Sequence, residues 1–464
     1  MIRAKPRRGA VPEIVAVIVT GTVGCYHPEP LDAWGVLNEL RRDDAVQAST
    51  GASAKVATST PPSPPAGLTE DLSVALALHW NRELRAFRAS RGIVEGEVIT
   101  AGTLANPELR MELTHIQERS LDKLGWDLRL TWEPPRPGVR AGRRGAASAH
   151  LKEVDQQISE REWDLACDVR GWYATLLALD EEIKVAQDTV ANRQRLAEAI
   201  ARRVAQGGTT RFDLDLVRLS LAAAEHAENE RRVARNLAAS TLIRLLGVGP
   251  PGGTITVIGQ LTDDAAKLSP SSQSALEDRA LAHRALVGAA RAHYDASEES
   301  LRAETAARWP WFRLAAAPRV RRNEFFGATT DLVLGLDVTL PILDTNVGRV
   351  RSATAARDVA RAEVTATLAG LRADIARALA TVDAQRAILR RLRTEIAPLL
   401  TEHDRVLAMA AKAAELDLPS LIASENLVLA SRLELIRARL ELRKAWITLE
   451  RSVGARLVTP PESN

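Results

Sequence analysis

The chain has 464 residues, 46% hydrophobic and 26% charged, with 62 Lys and Arg against 59 Asp and Glu, a formal charge of +3 and an isoelectric point near 9.0. This charged fraction excludes a disordered tail or a collagen-like fibre, and two cysteines, Cys25 and Cys167, exclude a disulfide-dense scaffold or a four-cysteine zinc centre. An Ala-, Leu- and Arg-rich composition favours long helices over an all-β fold.

Residues 1–24 read as an export signal. Arg3, Lys5, Arg7 and Arg8 precede a short apolar run, Ile14 to Val19, and then small residues up to Gly24. The run is too short to span a bilayer. Cys25 follows directly and resembles the cleavage box of bacterial lipoproteins, where the new terminal cysteine carries lipid such as palmitate; Thr22 stands where leucine is usual. Stable anchoring needs more than one acyl chain. Removing residues 1–24 leaves 58 basic and 58 acidic residues, so the basicity belongs to the signal and nothing points to nucleic acid. Residues 25–67 follow as an acylated N-terminus and a linker rich in Pro, Ser and other small residues.

No proline occurs between Pro137 and Pro250, and Gly171 is the lone glycine between Gly145 and Gly207. This spacing predicts one helix over 139–206, roughly 100 Å long at about 1.5 Å per residue. Gly207-Gly208-Thr209-Thr210 breaks it before a return helix over 214–247, making a hairpin. A second hairpin is predicted from Gly348 to Ala414, kinked near Pro398, and back over 421–454, with heptad-like leucines from Leu427 to Leu449 for coiled-coil packing. The two match at an offset of 207, which sets Gly247 on Gly454, Arg244 on Arg451 and Leu242 on Leu449. The organisation expected is a first repeat over 68–249, a connector over 250–270, a second repeat over 271–457 and a tail over 458–464.

Each repeat interrupts its helices with two alternating segments. Leu109, Met111 and Leu113 alternate with Arg110 and Glu112; Trp126, Leu128, Leu130 and Trp132 alternate with Asp127 and Arg129. In the second repeat Phe312 and Leu314 alternate with Trp311 and Arg313, and Leu332 through Leu340 repeats the pattern around Asp337. A period of two means strands with one apolar and one polar face. Residues 107–134 and 309–343 hold seven of the 17 aromatic residues. Concentrated near strand ends, they suit the interfacial girdles of a membrane barrel, with Trp126, Trp132, Trp309 and Trp311 as candidates. Four strands cannot close a barrel, since about eight are needed, so several chains must pool theirs.

The signal with Cys25, the linker and the duplicated order of helix, two strands and hairpin resemble the TolC-type outer-membrane efflux proteins, in particular lipoprotein members that work with resistance-nodulation-division pumps. The resemblance runs from Leu68 to Leu457 and includes Ala75 to Leu84, Ala105-Asn106-Pro107-Glu108-Leu109 and Leu340-Pro341-Ile342-Leu343-Asp344. It implies a mainly α fold with a membrane β-barrel: a homotrimer whose four strands per chain make a 12-stranded barrel in outer-membrane lipid, above an α-helical periplasmic tunnel. A periplasmic adaptor and an inner-membrane pump would dock at the hairpin tips. The alternative, a lipid-anchored coiled-coil adaptor or structural protein without a barrel, fits less well, because such a protein carries one hairpin rather than two.

A duct needs no nucleophile or cofactor, and none is found. The eight histidines show no metal-ligand spacing in the sequence, His283 and His293 read as helix-surface residues, and Cys167 reads as a small buried hydrophobe. Three methionines give no thioether path for soft metals. The resemblance places a gate at the tips, where Glu415 and Asp417 in the second and Asp213 and Asp215 in the first would form acidic rings; the same acids also suit helix starts. Gly207, Gly208, Thr209, Thr210 and Leu418 are the expected adaptor contacts. Replacing Glu415 and Asp417 by Ala should change cation selectivity or conductance in planar bilayers; unchanged currents would remove both from the gate.

Overall fold

A computed structural model of the chain describes residues 31–39, 41, 67–118, 121–248, 255–261, 272–323, 327–413 and 418–457. The chain divides into two units, Met1–Gly51 and Ala52–Asn464. In the first, residues 33–39 are helical. All other elements lie in the second.

Three short helices open the first repeat: α1 (Glu70–Trp80), α2 (Arg82–Ala89) and α3 (Arg91–Gly102). Asn81 makes the first break. Its backbone is extended, its side-chain oxygen accepts from Leu84 N at 2.8 Å as an N-cap, and its amide donates to Leu245 O at 2.9 Å. Strands β1 (Glu108–Glu118) and β2 (Leu121–Trp132) follow, then α4 (Val139–Ala205), a 67-residue helix, and α5 (Arg211–Leu246).

The second repeat has α6 (Gln273–His283), α7 (Ala285–Ala306), β3 (Trp311–Asn323), β4 (Gly327–Thr339), α8 (Val347–Arg391), α9 (Ala397–Ala413) and α10 (Leu418–Val453). Between α8 and α9 lies a π-helical turn, Leu392–Ile396. The kink expected at Pro398 is therefore taken up one turn upstream. Pro398 has no N–H for the Thr394 carbonyl and its ring crowds that group, so the ladder widens. The strands outrun their alternating pattern by several residues, because ladder pairing continues where the side-chain period fades. The second return helix begins at Leu418, three residues before the expected start.

The four strands form one antiparallel sheet in the order β1-β2-β3-β4. Its registers include Arg110↔Arg129, Leu130↔Ala316 and Arg313↔Asp337. The helices bury two main cores. One gathers α1, α4 and α5 with Ile255 and Val257, and the other gathers α6, α8 and α10. Ala174, Ala178, Ile436 and Leu440 join α4 to α10, so the repeats share a seam. Among the described residues no helix is long and apolar enough to cross a membrane.

The repeats close in the same way. Gly247 and Gly454 end their return helices in the left-handed conformation, φ 67° and 76°. A Cβ on Gly247 would lie 2.4 Å from Trp80 O, and one on Gly454 would lie 2.9 Å from Arg284 Cα. Each helix end is thus seated on the break between the first two helices of its own repeat. Gly207 is also left-handed, φ 73°, but has open space around it. Gly247→Ala and Gly454→Ala should cost at least about 2 kcal/mol, strain plus collision, and Gly207→Ala only about 1 kcal/mol of strain. Thermal melts of the three variants check this ranking, and equal midpoints would contradict it.

Candidate functional site

The sheet has two chemically opposite faces. Leu109, Met111, Leu130, Phe312, Leu314, Leu334, Leu336 and Val338 share one face and are exposed, Leu334 by 76%. The register places Arg110, Glu112, Asp127, Arg129, Arg313 and Asp337 on the other. Across β1 and β2, Arg110 stands opposite Arg129 and Glu112 opposite Asp127, giving like-charged rows of alternating sign. Directly opposed like charges need water to screen them. One face therefore suits hydrocarbon and the other a wet lumen.

The four candidate aromatics occupy different places. Trp132, at the end of β2, lies on the apolar face and donates its indole N–H to Ala105 O at 3.1 Å. Trp309 precedes β3 and is 75% exposed. Trp126 lies mid-strand, opposite Leu113 and about 20 Å along β2 from Trp132. Trp311 belongs to the polar face with Arg313, and its indole N–H donates to Pro134 O at 2.7 Å. It faces away from the apolar surface, a consequence of the period-two alternation that sets Phe312 outward.

The first tip is fully described. Gly207 and Gly208 close α4 by donating to Val204 O and Arg203 O at 3.0 and 2.8 Å. Thr210 and Asp213 form a capping box at the start of α5. Asp213 N donates to Thr210 Oγ1 at 3.1 Å, and the Asp213 carboxylate accepts from Thr210 N at 3.1 Å and from both threonine hydroxyls at 2.6 Å. Hydrogen bonds from Thr209 and Thr210 hold that carboxyl below its ordinary range. Asp213 is thus engaged as a cap. Asp215 is exposed, 4.0 Å from Arg218. Glu415, Asp417 and Cys25 lie outside the described residues.

Leu418 packs with Ile200, Leu214, Val217 and Ile422, so α10 begins against the first hairpin. Arg193 fastens it there. This side chain is buried and donates to Ile422 O at 3.2 Å and Asn426 Oδ1 at 3.1 Å, and it pairs with Glu425 at 3.1 Å. These three partners lie more than 220 residues away, so nothing local in the sequence marks the contact. By contrast, α9 has hardly any contact with α10 among the described residues.

Higher up, buried ions tie the repeats together. Arg170 of α4 pairs with Glu450 of α10 at 2.6 Å and with Glu70 of α1 at 2.7 Å, and Arg443 of α10 reaches Glu70 at 2.8 Å. Arg170 is 2% exposed and Glu450 fully buried. Glu450 also accepts from Leu457 N at 2.9 Å. Burial pushes the Glu70 carboxyl up, but Arg443 and Arg170 outweigh it and hold the net value below the ordinary one. Nearby, burial of Glu160 outweighs its pairing with Arg284 and raises its carboxyl. Cys167 is buried as expected, and burial pushes its thiol up to about 11.

Residues 74–248 match the family described as outer membrane efflux protein. The cobalt-zinc-cadmium resistance protein CzcC of Cupriavidus metallidurans is 23% identical over 388 residues, covering 83% of this chain and 90% of that protein. A membrane protein from Pseudomonas aeruginosa superposes with a TM-score of 0.69 at 18% identity, covering 83% of this chain and 90% of that one. The open-state MtrE outer-membrane channel of Neisseria gonorrhoeae gives 0.67 at 15% identity, covering 84% and 89%. At such identities the two structures share the fold.

Arg170→Met should cost about 3–5 kcal/mol, because the buried Glu450 carboxylate loses its countercharge. Arg170→Met with Glu450→Met should recover most of that loss. Glu70, whose folded value is depressed, contributes stability that is present above its unfolded pKa and lost as pH falls through the folded one. Glu70→Gln should therefore flatten the acid limb of the stability profile, measured as melting temperature against pH.

Proposed function

We infer that this chain, an outer-membrane efflux protein of the TolC type, is the exit duct of a tripartite efflux system, carrying substrate from an inner-membrane pump to the cell exterior. The observation that carries the reading is the four-stranded sheet, with its apolar outer face, charged inner face and two free edges, set on helices about 100 Å long. Three copies pool 12 strands, pairing β4 of one with β1 of the next, and the hairpins continue the lumen as a helical tunnel through the periplasm.

The finer assignments extend this reading. Cys25 carries the lipid, with palmitate among its acyl chains, and tethers the chain to the outer membrane. Trp132 and Trp309 sit at the membrane–water boundary. The tips at Gly207, Gly208, Thr209, Thr210 and Leu418 meet the adaptor. Glu415 and Asp417 are the gate acids of this reading, and Asp215 and Asp213 of the first tip are the further candidates. CzcC, by its name a cobalt-zinc-cadmium resistance protein, aligns along 83% of the chain and supports divalent cations as cargo. Three methionines leave that passage without a thioether ladder, which a passive duct does not require.

The protein should stay with membranes through carbonate extraction and run as a trimer that heat dissociates in detergent. Cells lacking it should become sensitive to Co2+, Zn2+ and Cd2+. Clean release by carbonate would sink the barrel, and unchanged metal tolerance would sink the cargo.

A further inference from the structure

Helix packing brings together two histidines that lie 143 residues apart in the sequence. His150 and Glu153 are one turn apart on α4, His293 is on α7, Glu363 on α8 and Glu97 on α3. His293 Nδ1 is 3.2 Å from Glu153 Oε2, and its Nε2 is 3.6 Å from Glu363 Oε2. His150 Nδ1 is 3.2 Å from Glu97 Oε2. His150, Glu153 and His293 line one hollow of about 330 Å3, floored by Ala296, Ser297 and Ala353.

We propose that His293 and Glu363, with His150 across the hollow, form an open site for a divalent transition-metal cation. A carboxylate beside Nδ1 favours the tautomer with its proton there. That leaves the Nε2 lone pair free, the arrangement that orients histidine ligands in metal centres. Two ligands on one tetrahedral ion, each about 2.0–2.1 Å from it, lie roughly 3.4 Å apart. The 3.6 Å between His293 Nε2 and Glu363 Oε2 matches that separation. Glu153 and Glu363 flank the imidazole of His293 and Glu97 that of His150, and these carboxylates also attract a cation.

Among the described residues no three ligand-type side chains already converge. The third place falls to His150, by rotation of a half-exposed side chain, or to water. Such an incomplete, half-exposed site binds weakly and exchanges quickly. Helix packing does not demand these residues. At the 207-residue offset the repeat mates of His150 and Glu153 are Arg357 and Ala360, which cannot replace them as ligands. The proposal deepens the divalent-cation reading, but binding can be measured apart from transport.

The test is equilibrium dialysis of the detergent-solubilised full chain against Zn2+, with Co2+ absorption reporting imidazole ligation. One Zn2+ per chain is expected, competed by Co2+ and not by Mg2+. His293→Ala should weaken it about 10-fold or more. His293→Gln should match it, and His226→Ala, a solvent-exposed control on α5, should leave it unchanged. A heat-dissociable trimer band for each variant shows that assembly is intact. Equal Zn2+ binding by His293→Ala and His226→Ala, or equal competition by Mg2+, overturns the site. If His293 variants lose Zn2+ while cells lacking the protein keep their metal tolerance, the site stands and the cargo reading falls.

Discussion

A four-stranded open sheet has two edges, and in hydrocarbon neither edge can stay unpaired. Each exposed backbone N–H or C=O costs several kcal/mol where water is absent. β1 and β4 can satisfy each other only across copies of the chain, because the order β1-β2-β3-β4 holds them apart within one. The apolar face and the charge rows then set which side turns to lipid. The helices below inherit the curvature and the central space that closure imposes. Pooling of strands, lumen and tunnel thus follow from one hydrogen-bonding constraint.

Below the sheet, connectivity and packing diverge. α10 is the return arm of the second hairpin, yet it is fastened to the first by Leu418, Arg193, the Ala174–Ile436 seam and the Arg170–Glu450 pair. Its sequence partner α9 has hardly any contact with it among the described residues, and the π turn above α9 already departs from regular helix. The two hairpins are alike in length and unlike in support. Buried ions at the seam make it unforgiving of single changes, since removing one partner strands the other in a medium that solvates it poorly.

Much of this was legible in the sequence because it depends on local chemistry. Freedom from proline predicts a helix over 139–206, and α4 runs Val139–Ala205. Period-two alternation locates all four strands and already separates Trp311 from Phe312. Pro398 flags a distortion, although the ring acts one turn upstream, on the Thr394 carbonyl. What was not legible is what depends on distance. Nothing local in the sequence marks Arg193, which α10 buries. His150 and His293 show no ligand spacing because they lie on two different helices, α4 and α7. Asp213 reads first as a helix-start acid and only second as a pore acid, and its side chain is engaged in a capping box.

The left-handed glycines at the two helix ends carry a consequence about number. Gly247 and Gly454 each return a repeat to the break between its own first two helices, so each repeat is closed on itself. In the proposed trimer, three chains built this way would present six such closed modules around the axis, two strands and one hairpin apiece. A progenitor of half the length could satisfy the same geometry as a ring of six. Fusing pairs of modules halves the number of chains to be assembled and releases alternate modules from being identical. The π turn, present in one module and missing from its mate, and a histidine pair that takes His150 from one module and His293 from the other, are differences that a ring of six identical chains could not hold.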